Sequence, residues 1–445
     1  MPHLAQANGC HFTVGPGVST VDGQENYAAL KAGSVVCISA GSRGPLVLKN
    51  LHGESGNPIT FVNFGGDVEI SSSGFAGIRI ANSEHIRITG AGVSGRCGAG
   101  LAASEQQCGL RITAPAGRGI AGASATRHIE IDHVEIHATA YSAITINTTY
   151  EKDGVRRANF TQYNTFLHHN YAHDIGKEGF YIGSSHYTSG GDDPVLRGVD
   201  IHHNLVADTG WDGIQVGSAV EDCAIHHNRI YRDSLANVEL QRSGIMINRG
   251  SVCDVYSNFI KDGFAAYGIY VQGNGGNRIY NNVVVNRTKN SGRGITVATG
   301  SNVDRGICVS HNTLVSIEGL GINFKNAAGA GNFIESNLLA DVRGEQMYVG
   351  VASATHNSSL TSVEEAKFAD PSGDDYSLAV GSPMIDAALP VSRCGVVDDY
   401  AGTLRPQGAA PDIGAYEFSA DSAPTQPHLR SLNNGVFMAV DRFPQ

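Results

Sequence analysis

Three side chains that could recognise an anionic sugar occupy equivalent positions in a repeated pattern: Lys177, Trp211 and Arg242. Each stands two residues before a glycine that opens a short apolar strand, as in "DIGKEGFYIG" at 174–183 and "DTGWDGIQVG" at 208–217. Trp211 is the only tryptophan in 445 residues. An indole packs on the apolar face of a sugar ring, and cations on both sides would suit a sugar carboxylate. The alternative is that Trp211 only covers a corner and that the two cations are solvated.

One chemistry open to these residues is elimination at a uronate. Removal of the proton alpha to the sugar carboxylate needs a cation that neutralises the carboxylate, a base and an acid. Arg242 is the predicted neutraliser, and Lys177 and Tyr181 are the predicted base and acid. A neighbouring cation would lower the pKa of the base, as that role requires. The residues predicted to bind the sugar are Trp211, Glu178, Asp212, Gln215, Arg249 and Tyr270.

A second chemistry is glycoside hydrolysis by Glu178 and Asp212, which stand immediately before the glycine in two repeats. Carboxylates on neighbouring strands lie close together, and their separation decides between retention and inversion. Glu178 could instead pair with Lys177 or Arg242 and be structural. An epimerase, a transferase and a carbohydrate-binding protein without catalysis are further alternatives. A binding protein would typically carry a long uniform aromatic strip, whereas polar variety concentrates here in 177–249. We rank elimination first.

The chain repeats itself through two alternating signals. Glycine-led strands begin at 77, 109, 179, 213, 244, 268, 294 and 321, and a second series ends in Asn170, Asn204, Asn228, Asn258, Asn282, Asn312 and Asn337. The two series share a drifting period of about 25 residues, and helical periodicity is absent from the middle of the chain. Short strands at this period predict an all-β parallel solenoid in which each cycle forms one rung.

Stacking of rungs places equivalent residues in columns, because like strands pair at about 4.8 Å. The asparagines should therefore bond to one another as a ladder. The residue between two core-facing residues of each glycine-led strand points outwards. The predicted outward column is Arg79, Arg111, Thr145, Tyr181, Gln215, Met246, Tyr270, Thr296 and Asn323.

Repeats such as "IHHNLVADTGWDGIQVG" at 201–217 resemble the right-handed parallel β-helix superfamily, which includes pectate-lyase-like lyases and several glycoside hydrolases. The resemblance covers 60–345. The stretch "LKAGSVVCISAGSRGPLVLKN" is similar to the entry rungs of alginate and chondroitin lyases, and 382–418 resembles a terminal segment of secreted β-helix proteins. The resemblance implies a fold rather than a reaction, because lyases, hydrolases, epimerases, adhesins and phage tailspikes share it.

Catalytic signatures of the superfamily are not matched. The paired aspartates and the Gly-His-Gly pattern of the polygalacturonases are absent after "GWDGIQV". The stretch "GIMINRG" with Arg249 is only loosely similar to the arginine motif of alginate and chondroitin lyases. No catalytic residue is therefore carried over from the family.

The predicted organisation has four parts: an N-terminal cap with entry rungs (1–59), the β-helix (60–345), a capping segment (346–418) and a tail (419–445) with a short strand at "GVFMAV". The capping segment is expected to cover the C-terminal end of the β-helix, because an open rung is an unpaired strand edge.

Composition limits the partners. No apolar run approaches the roughly 18 residues of a membrane span, and a net charge of −11 argues against nucleic acid. The start "MPHLAQANGC" lacks signal-peptide features, as would a mature secreted chain with a new Met. A polysaccharide or oligosaccharide is the expected partner, and a secreted or periplasmic location is expected.

The eight cysteines support an oxidising compartment through their even number and loop positions. Cys223 and Cys253 each stand five residues before a ladder asparagine and are predicted to be stacked, buried thiols. The predicted disulfides are Cys10 with Cys37 and Cys97 with Cys108.

We expect no metal site and no obligatory cofactor, with Ca²⁺ as the one candidate ion. Asp192 and Asp193, in the loop at 186–198, are either calcium ligands or a polar turn. Three outward histidines in successive rungs could bind a metal, but tyrosines continue their column, which favours a ladder of stacked rings. That column is His168, His202, His226, Tyr256 and Tyr280.

Overall fold

The structure is a computed structural model that describes residues 9–92, 96–188, 190–264, 266–287, 289, 291–298, 305–325 and 331–419. The strand predicted at "GVFMAV" lies outside these residues. Within them the chain is almost entirely β-structure, with one α-helix (α1, Tyr150–Asp153) and single 3-10 turns at Ala103–Glu105, Glu364–Ala366 and Pro371–Gly373. No helix in the described ranges is both long enough and apolar enough to cross a membrane.

The strands in chain order are β1 (Phe12–Val14), β2 (Thr20–Asp22), β3 (Val35–Arg43), β4 (Leu46–Lys49), β5 (Ile59–Ser71), β6 (Ala76–Ala81), β7 (Glu84–Thr89), β8 (Leu110–Thr113), β9 (Arg118–Ala123), β10 (Arg127–Asp132), β11 (Val134–Thr139), β12 (Ile144–Ile146), β13 (Thr161–His168), β14 (Tyr171–Ile175), β15 (Phe180–Gly183), β16 (Val195–His202), β17 (Leu205–Ala207), β18 (Ile214–Gly217), β19 (Ala219–His226), β20 (Arg229–Tyr231), β21 (Ser243–Ile247), β22 (Cys253–Tyr256), β23 (Phe259–Lys261), β24 (Tyr267–Val271), β25 (Arg278–Tyr280), β26 (Val283–Arg287), β27 (Arg293–Val297), β28 (Cys308–Ser310), β29 (Thr313–Ile317), β30 (Ile322–Phe324), β31 (Phe333–Glu335), β32 (Leu338–Val342), β33 (Met347–Tyr348), β34 (Ser353–Thr355), β35 (Ser358–Leu360), β36 (Phe368–Asp370) and β37 (Asp375–Leu378).

These strands form two long parallel sheets. Sheet I has 23 strands, and sheet II has 12, in the order β2-β4-β6-β9-β12-β15-β18-β21-β24-β27-β30-β33. A typical rung, such as β16, β17 and β18, gives two strands to sheet I and one to sheet II, and each strand pairs with its equivalents one rung away. The predicted all-β parallel β-helix is confirmed. Parallel pairing runs from Phe12 to Leu360, and the division of the chain at 59, 345 and 418 stays a prediction.

The core is built from the inward residues of these short strands. In sheet II the residue after each leading glycine, or after Ala143 in the one rung that lacks this glycine, is fully buried and stacks on its equivalent one rung away. Burial of such a side chain contributes about 1.5–3 kcal/mol. That column includes Ile78, Ile120, Ile144, Phe180, Ile214, Ile245, Ile269, Ile295 and Ile322.

The predicted asparagine ladder is confirmed and extends one rung further, to Asn357. Each buried side-chain amide donates to the Oδ1 atom of the next asparagine at 2.8–3.0 Å. Asn228 shows the full pattern: its Nδ2 also donates to the carbonyl of Ile201, and its Oδ1 also accepts the backbone N–H of Asn204. The residue before each ladder asparagine is in the left-handed conformation, which His tolerates better than most residues, as at His203 (φ 54°).

The histidines form ring ladders, as their column suggested. Ring centroids from His168 through His202, His226 and Tyr256 to Tyr280 are 4.6–5.0 Å apart with interplanar angles of 12° or less. A second column of histidines, one residue later in each repeat, stacks at 5.0–5.3 Å and comprises His133, His169, His203 and His227. Burial, reinforced by the neighbouring imidazoles, lowers the pKa of His169 and His227 to about 3 and that of His203 to about 4.

One expectation about the outward column is wrong. Arg111 lies in sheet I, where it forms ion pairs with Asp67 and Glu135, and Ala121 occupies the place in sheet II between Arg79 and Thr145. "GLRI" has the local pattern of a sheet II strand, but Gly109 packs against Asn63 and Gly90 at another corner, where a Cβ would collide.

Cys223 and Cys253 form a disulfide rather than a pair of thiols. They are register partners on β19 and β22 with Cα atoms 4.5 Å apart, within the range that a disulfide spans. The two predicted disulfides are present, and a fourth joins Cys308 to Cys394.

The chain after β35 packs along the side of sheet I. It covers outward apolar residues on four successive rungs, namely Phe259, Val283, Val315 and Leu338. Buried Glu335 accepts hydrogen bonds from Ser392 and Arg393, and Asn281 donates to the carbonyl of Asp398. The segment 361–419 therefore binds sheet I and leaves the outer face of sheet II open to other contacts.

We expect Asn228→Ala to lower the free energy of unfolding by about 1–3 kcal/mol, because it leaves buried partners unpaired. Asn357→Ala, at the partly buried end of the ladder, is the matched control and should cost less. Chemical denaturation measures both. Equal losses at the two positions would contradict a cooperative buried ladder.

The histidine ladders should make the fold sensitive to acid. Because His169, His203 and His227 titrate below the ordinary value of 6.5, the unfolded chain binds protons first. Burial also lowers the pKa of His202, in the neighbouring column, so this residue contributes in the same direction. Their stabilisation is complete above pH 6.5 and is lost as the pH falls towards 4. Melting temperatures across this range should fall, and less so for His202→Phe, which keeps a stacked ring that cannot be protonated. An identical fall in the variant would rule out the ladder as the cause.

Candidate functional site

The outer face of sheet II brings polar and aromatic side chains into one row. Register pairs Thr145 with Tyr181, Tyr181 with Gln215, Gln215 with Met246 and Met246 with Tyr270. Tyr181 and Tyr270 are partly exposed, whereas Gln215 and Met246 are 2% and 3% exposed. The predicted order of this stretch of the column is confirmed, and we call these five residues the groove floor.

A second outward row follows two residues later on the same strands: Asn147, Gly183, Gly217, Asn248 and Gln272. Asn147 donates to the carbonyl of Gly183 at 2.7 Å, and Gln272 donates to the hydroxyl of Tyr270 at 3.0 Å. The two glycines leave this row without side chains at its centre.

Several buried polar atoms on this face have no hydrogen-bond partner in the described structure. They are Thr145 Oγ1, Asn147 Oδ1, Gln215 Oε1, Asn248 Nδ2 and Thr296 Oγ1. An unsatisfied buried polar atom costs about 1–3 kcal/mol. A row of five on one sheet face is unused hydrogen-bonding capacity, which ordered water, or a polar ligand met by rotated side chains, would complete.

At the corner before these strands, Lys177 lies between two aromatic rings. Its Nζ is 4.2 Å from the centroid of the Trp211 ring and 4.5 Å from that of Tyr141. The backbone N–H of Trp211 donates to the carbonyl of Lys177, which fixes the two residues on successive rungs. A cation therefore covers one face of the indole. A sugar can contact the other face and the edge of the ring.

Arg242 and Arg249 border the groove floor at opposite ends of β21. Arg242 precedes the strand and donates to Asn237 Oδ1 at 3.4 Å, and Arg249 follows the strand and is exposed. Neither forms an ion pair with a carboxylate in the described ranges, and no ring contact joins Arg242 to Trp211 there. Of the two cations predicted to flank Trp211, Lys177 contacts its ring. No such contact is observed for Arg242 in the described ranges.

Glu178 and Asp212 lie inside the corner rather than on the groove floor. Glu178 is 4% exposed and accepts a hydrogen bond from Ser142 Oγ at 2.8 Å, and Asp212 is 0% exposed and accepts the backbone N–H of Ser243 at 2.7 Å. Burial raises the pKa of Glu178. Burial and then the neighbouring Glu178 carboxylate raise the pKa of Asp212 well above its ordinary value.

Residues 184–188, which follow β15, reach across to the turn after β21. The Tyr187 ring packs against Gly250, where a Cβ would collide with it, and Arg157 lies 4.6 Å from the centroid of the same ring. Only glycine allows this approach.

The two aspartates of the loop at 186–198 have protein partners. Asp192 forms an ion pair with Arg156 at 2.6 Å. Asp193 accepts from Ser184 Oγ at 2.6 Å and from the backbone N–H of Tyr150 at 2.9 Å. These contacts are those of a polar turn, while Ca²⁺ binding stays a prediction.

One cluster on sheet I has metal-ligand types within reach of one another: Glu130, Asp132 and His168. Arg87 forms ion pairs with both carboxylates, at 3.1 and 2.8 Å. The Arg87 guanidinium therefore balances the negative charge of the two carboxylates.

The structure thus gathers Tyr181, Gln215 and Tyr270 on the groove floor, with Arg249 at its edge and Lys177, Trp211 and Arg242 at the corner. It does not bring the predicted base and acid together: no contact joins Lys177 to Tyr181 among the described residues. Asn147 and Asn248 were not among the predicted site residues. Their signal was present, since both stand four residues after the position that leads the strand.

No protein-family model matches this sequence, and no curated protein matches it. Solved structures match it in fold. Pectate lyase Pel9A superimposes with a TM-score of 0.51 at 14% identity, covering 92% of this chain and 97% of the lyase. The GH136 lacto-N-biosidase from Eubacterium ramulus gives a TM-score of 0.55 at 15% identity, covering 80% of this chain and 68% of that enzyme. Identities this low establish the fold alone.

The buried Asp212 carboxyl gives a test of the corner. Because its pKa is raised above the ordinary value of 3.8, the contribution of Asp212 to stability should fall as the pH rises from about 4 towards the folded-state pKa, opposite in sign to the contribution of the histidine ladders. Asp212→Asn keeps the acceptor for Ser243 and removes this loss. The variant should gain in melting temperature over wild type with rising pH, whereas exposed Asp222→Asn should show no such trend. A variant that loses stability with rising pH would show that Asp212 is needed as a carboxylate.

Proposed function

We propose that this protein is a polysaccharide-active β-helix enzyme that cleaves a uronate-containing polysaccharide by β-elimination in the groove on sheet II. The observation that carries the proposal is the charge around the groove floor. Lys177, Arg242 and Arg249 border it without a carboxylate ion pair among the described residues, in a chain of net charge −11. Unpaired cations beside unsatisfied polar atoms suit an anionic, hydroxyl-rich ligand.

Elimination requires a base, a proton donor and a group that neutralises the sugar carboxylate. A base removes the proton on the carbon alpha to the carboxylate, the electron pair forms a carbon–carbon double bond, and the beta C–O bond breaks as the leaving oxygen gains a proton. The carboxylate must be neutralised while negative charge builds up on it. The products are a new chain end with an unsaturated uronate and a chain that ends in a hydroxyl.

Tyr181 is the residue that we assign to proton transfer. Its side chain is partly exposed on the groove floor between Thr145 and Gln215, and its hydroxyl is 3.2 Å from Ser185 Oγ. Lys177 is held between two rings as a cation and serves better to bind the carboxylate than to exchange a proton. Arg242 and Arg249 are the other candidate neutralisers, and Gln215 and Tyr270 are candidates to position the sugar.

Hydrolysis by Glu178 and Asp212 is the alternative, and their burial argues against it. A glycosidase needs both carboxylates in contact with the scissile bond or its water. Asp212 is fully buried and Glu178 nearly so, each with a hydrogen-bond partner inside the protein. The similarity in fold extends to a lyase and to a hydrolase, so it does not choose between them.

A secreted or periplasmic location is part of the proposal. Four disulfides join all eight cysteines, and disulfides persist in oxidising compartments. Such a location also gives access to extracellular polysaccharides.

The deciding experiment incubates the protein with polygalacturonate, alginate and chondroitin and follows ultraviolet absorbance of the unsaturated uronate. We expect absorbance to rise with one of them. Tyr181→Phe should lower kcat about 100-fold or more with little change in KM, and Trp211→Ala should mainly raise KM, by about tenfold.

Asp212→Asn is the matched control and should keep at least half of the wild-type kcat. New reducing ends without absorbance, lost in Glu178→Gln and Asp212→Asn and kept in Tyr181→Phe, would replace the lyase assignment with the hydrolase.

A further inference from the structure

The corner that carries Lys177 and Trp211 continues as a column of alternating aromatic and cationic side chains. Arg118 lies 5.0 Å from the centroid of the Phe75 ring and 4.8 Å from that of Tyr141. Lys177 then lies 4.5 Å from Tyr141 and 4.2 Å from Trp211. We call Phe75, Arg118, Tyr141, Lys177 and Trp211 the corner column.

The sequence explains the alternation. Phe75, Tyr141, Lys177 and Trp211 each stand two residues before the position that leads a sheet II strand. In the remaining rung this position is Gly117, which has no side chain. Arg118 fills the space, and the column is unbroken over five rungs, or roughly 19 Å at the usual strand spacing.

The column is open to solvent and its cations are not neutralised by ion pairs. Phe75 is 58% exposed and Tyr141 38% exposed. Among the described residues neither Arg118 nor Lys177 forms an ion pair. Both act to lower the pKa of Glu178, yet that carboxyl is buried beneath them, bonded to Ser142, and its pKa is raised by burial.

Cations without ion pairs are a feature of the corner column and not of the arginines on sheet I. Arginines on sheet I strands form ion pairs with carboxylates on neighbouring strands, and they include Arg87, Arg111, Arg127 and Arg278. A cation held over aromatic rings keeps its N–H donors free for an external acceptor. Exposed rings between such cations offer apolar faces or edges at the same spacing.

We propose that the corner column is a binding track for a polyanionic sugar chain, which leads along the β-helix axis from Phe75 to the groove beside Trp211. The inference rests on the proposed function for its substrate class and adds that the enzyme holds a long segment of chain outside the groove. Carboxylates of successive uronates would bind Arg118 and Lys177, and sugar rings would pack on Phe75 and on the exposed edge of Tyr141, whose faces are covered by the two cations. Affinity should therefore depend on chain length.

The single tryptophan makes binding measurable without turnover. In a Tyr181→Phe background, Trp211 emission is titrated with polygalacturonate and polymannuronate fractions of three and of twelve or more units, with neutral dextran as the blank. For the uronate that binds, we expect the long fraction to bind at least tenfold more tightly than the trisaccharide. Adding Arg118→Gln and Phe75→Ala, which leave both rings around Lys177 in place, should reduce long-chain affinity about tenfold and leave trisaccharide affinity unchanged.

Arg127→Gln in the same background is the control for loss of one positive charge, since Arg127 is paired with Glu84 on sheet I; it should leave both affinities unchanged. Melting temperatures establish that all variants are folded. Equal affinity of short and long chains, or equal loss of both on changing Arg118 and Phe75, overturns the track. Length-dependent binding without elimination by the wild-type protein would disprove the proposed reaction and leave the track standing.

Discussion

Register between rungs is the constraint on which the rest of this molecule depends. The buried asparagine amides from Asn170 to Asn357 accept and donate along one line, so each rung can stack on the next in only one alignment. In a β-structure a slip of one residue would turn the core face outwards. With the register fixed, any residue type that recurs at one position becomes a continuous column, and the local chemistry of the surface follows from the repeat.

Stacking of rungs brings charged side chains of equivalent positions close together. The two sheets differ in which side chains lie between these charges. On sheet I, arginines alternate with acids, and burial, reinforced by neighbouring imidazoles, lowers the pKa of the stacked His169, His203 and His227. At the corner of sheet II, cations alternate with aromatic rings instead. The first arrangement cancels charge within the protein, and the second leaves charge available to a ligand. Lys177 and Trp211 occupy the same position in successive repeats because they are neighbouring members of this second arrangement.

Much of the fold was predictable from the sequence because the asparagine and glycine signals report backbone geometry directly. The ladder, the ring column and the order from Thr145 to Tyr270 followed from spacing alone. Arg111 was misplaced because four residues do not reveal which corner a strand follows. The burial of Glu178 and Asp212 was missed because a residue just before a corner can point either way, and only the packing around it decides. The unsatisfied polar atoms of the groove could not be predicted, since they are defined by what surrounds them.

The segment 361–419 changes the mechanics of an otherwise one-dimensional molecule. Rungs of a solenoid interact only with their nearest neighbours, so an end can fray one rung at a time. This segment contacts four successive rungs at once, from Phe259 to Leu338, and Cys308–Cys394 ties it to one of them. Those rungs must then separate together, as one cooperative block. Proteases and mechanical load should accordingly act on the two ends of the molecule unequally, with the C-terminal rungs the more resistant part.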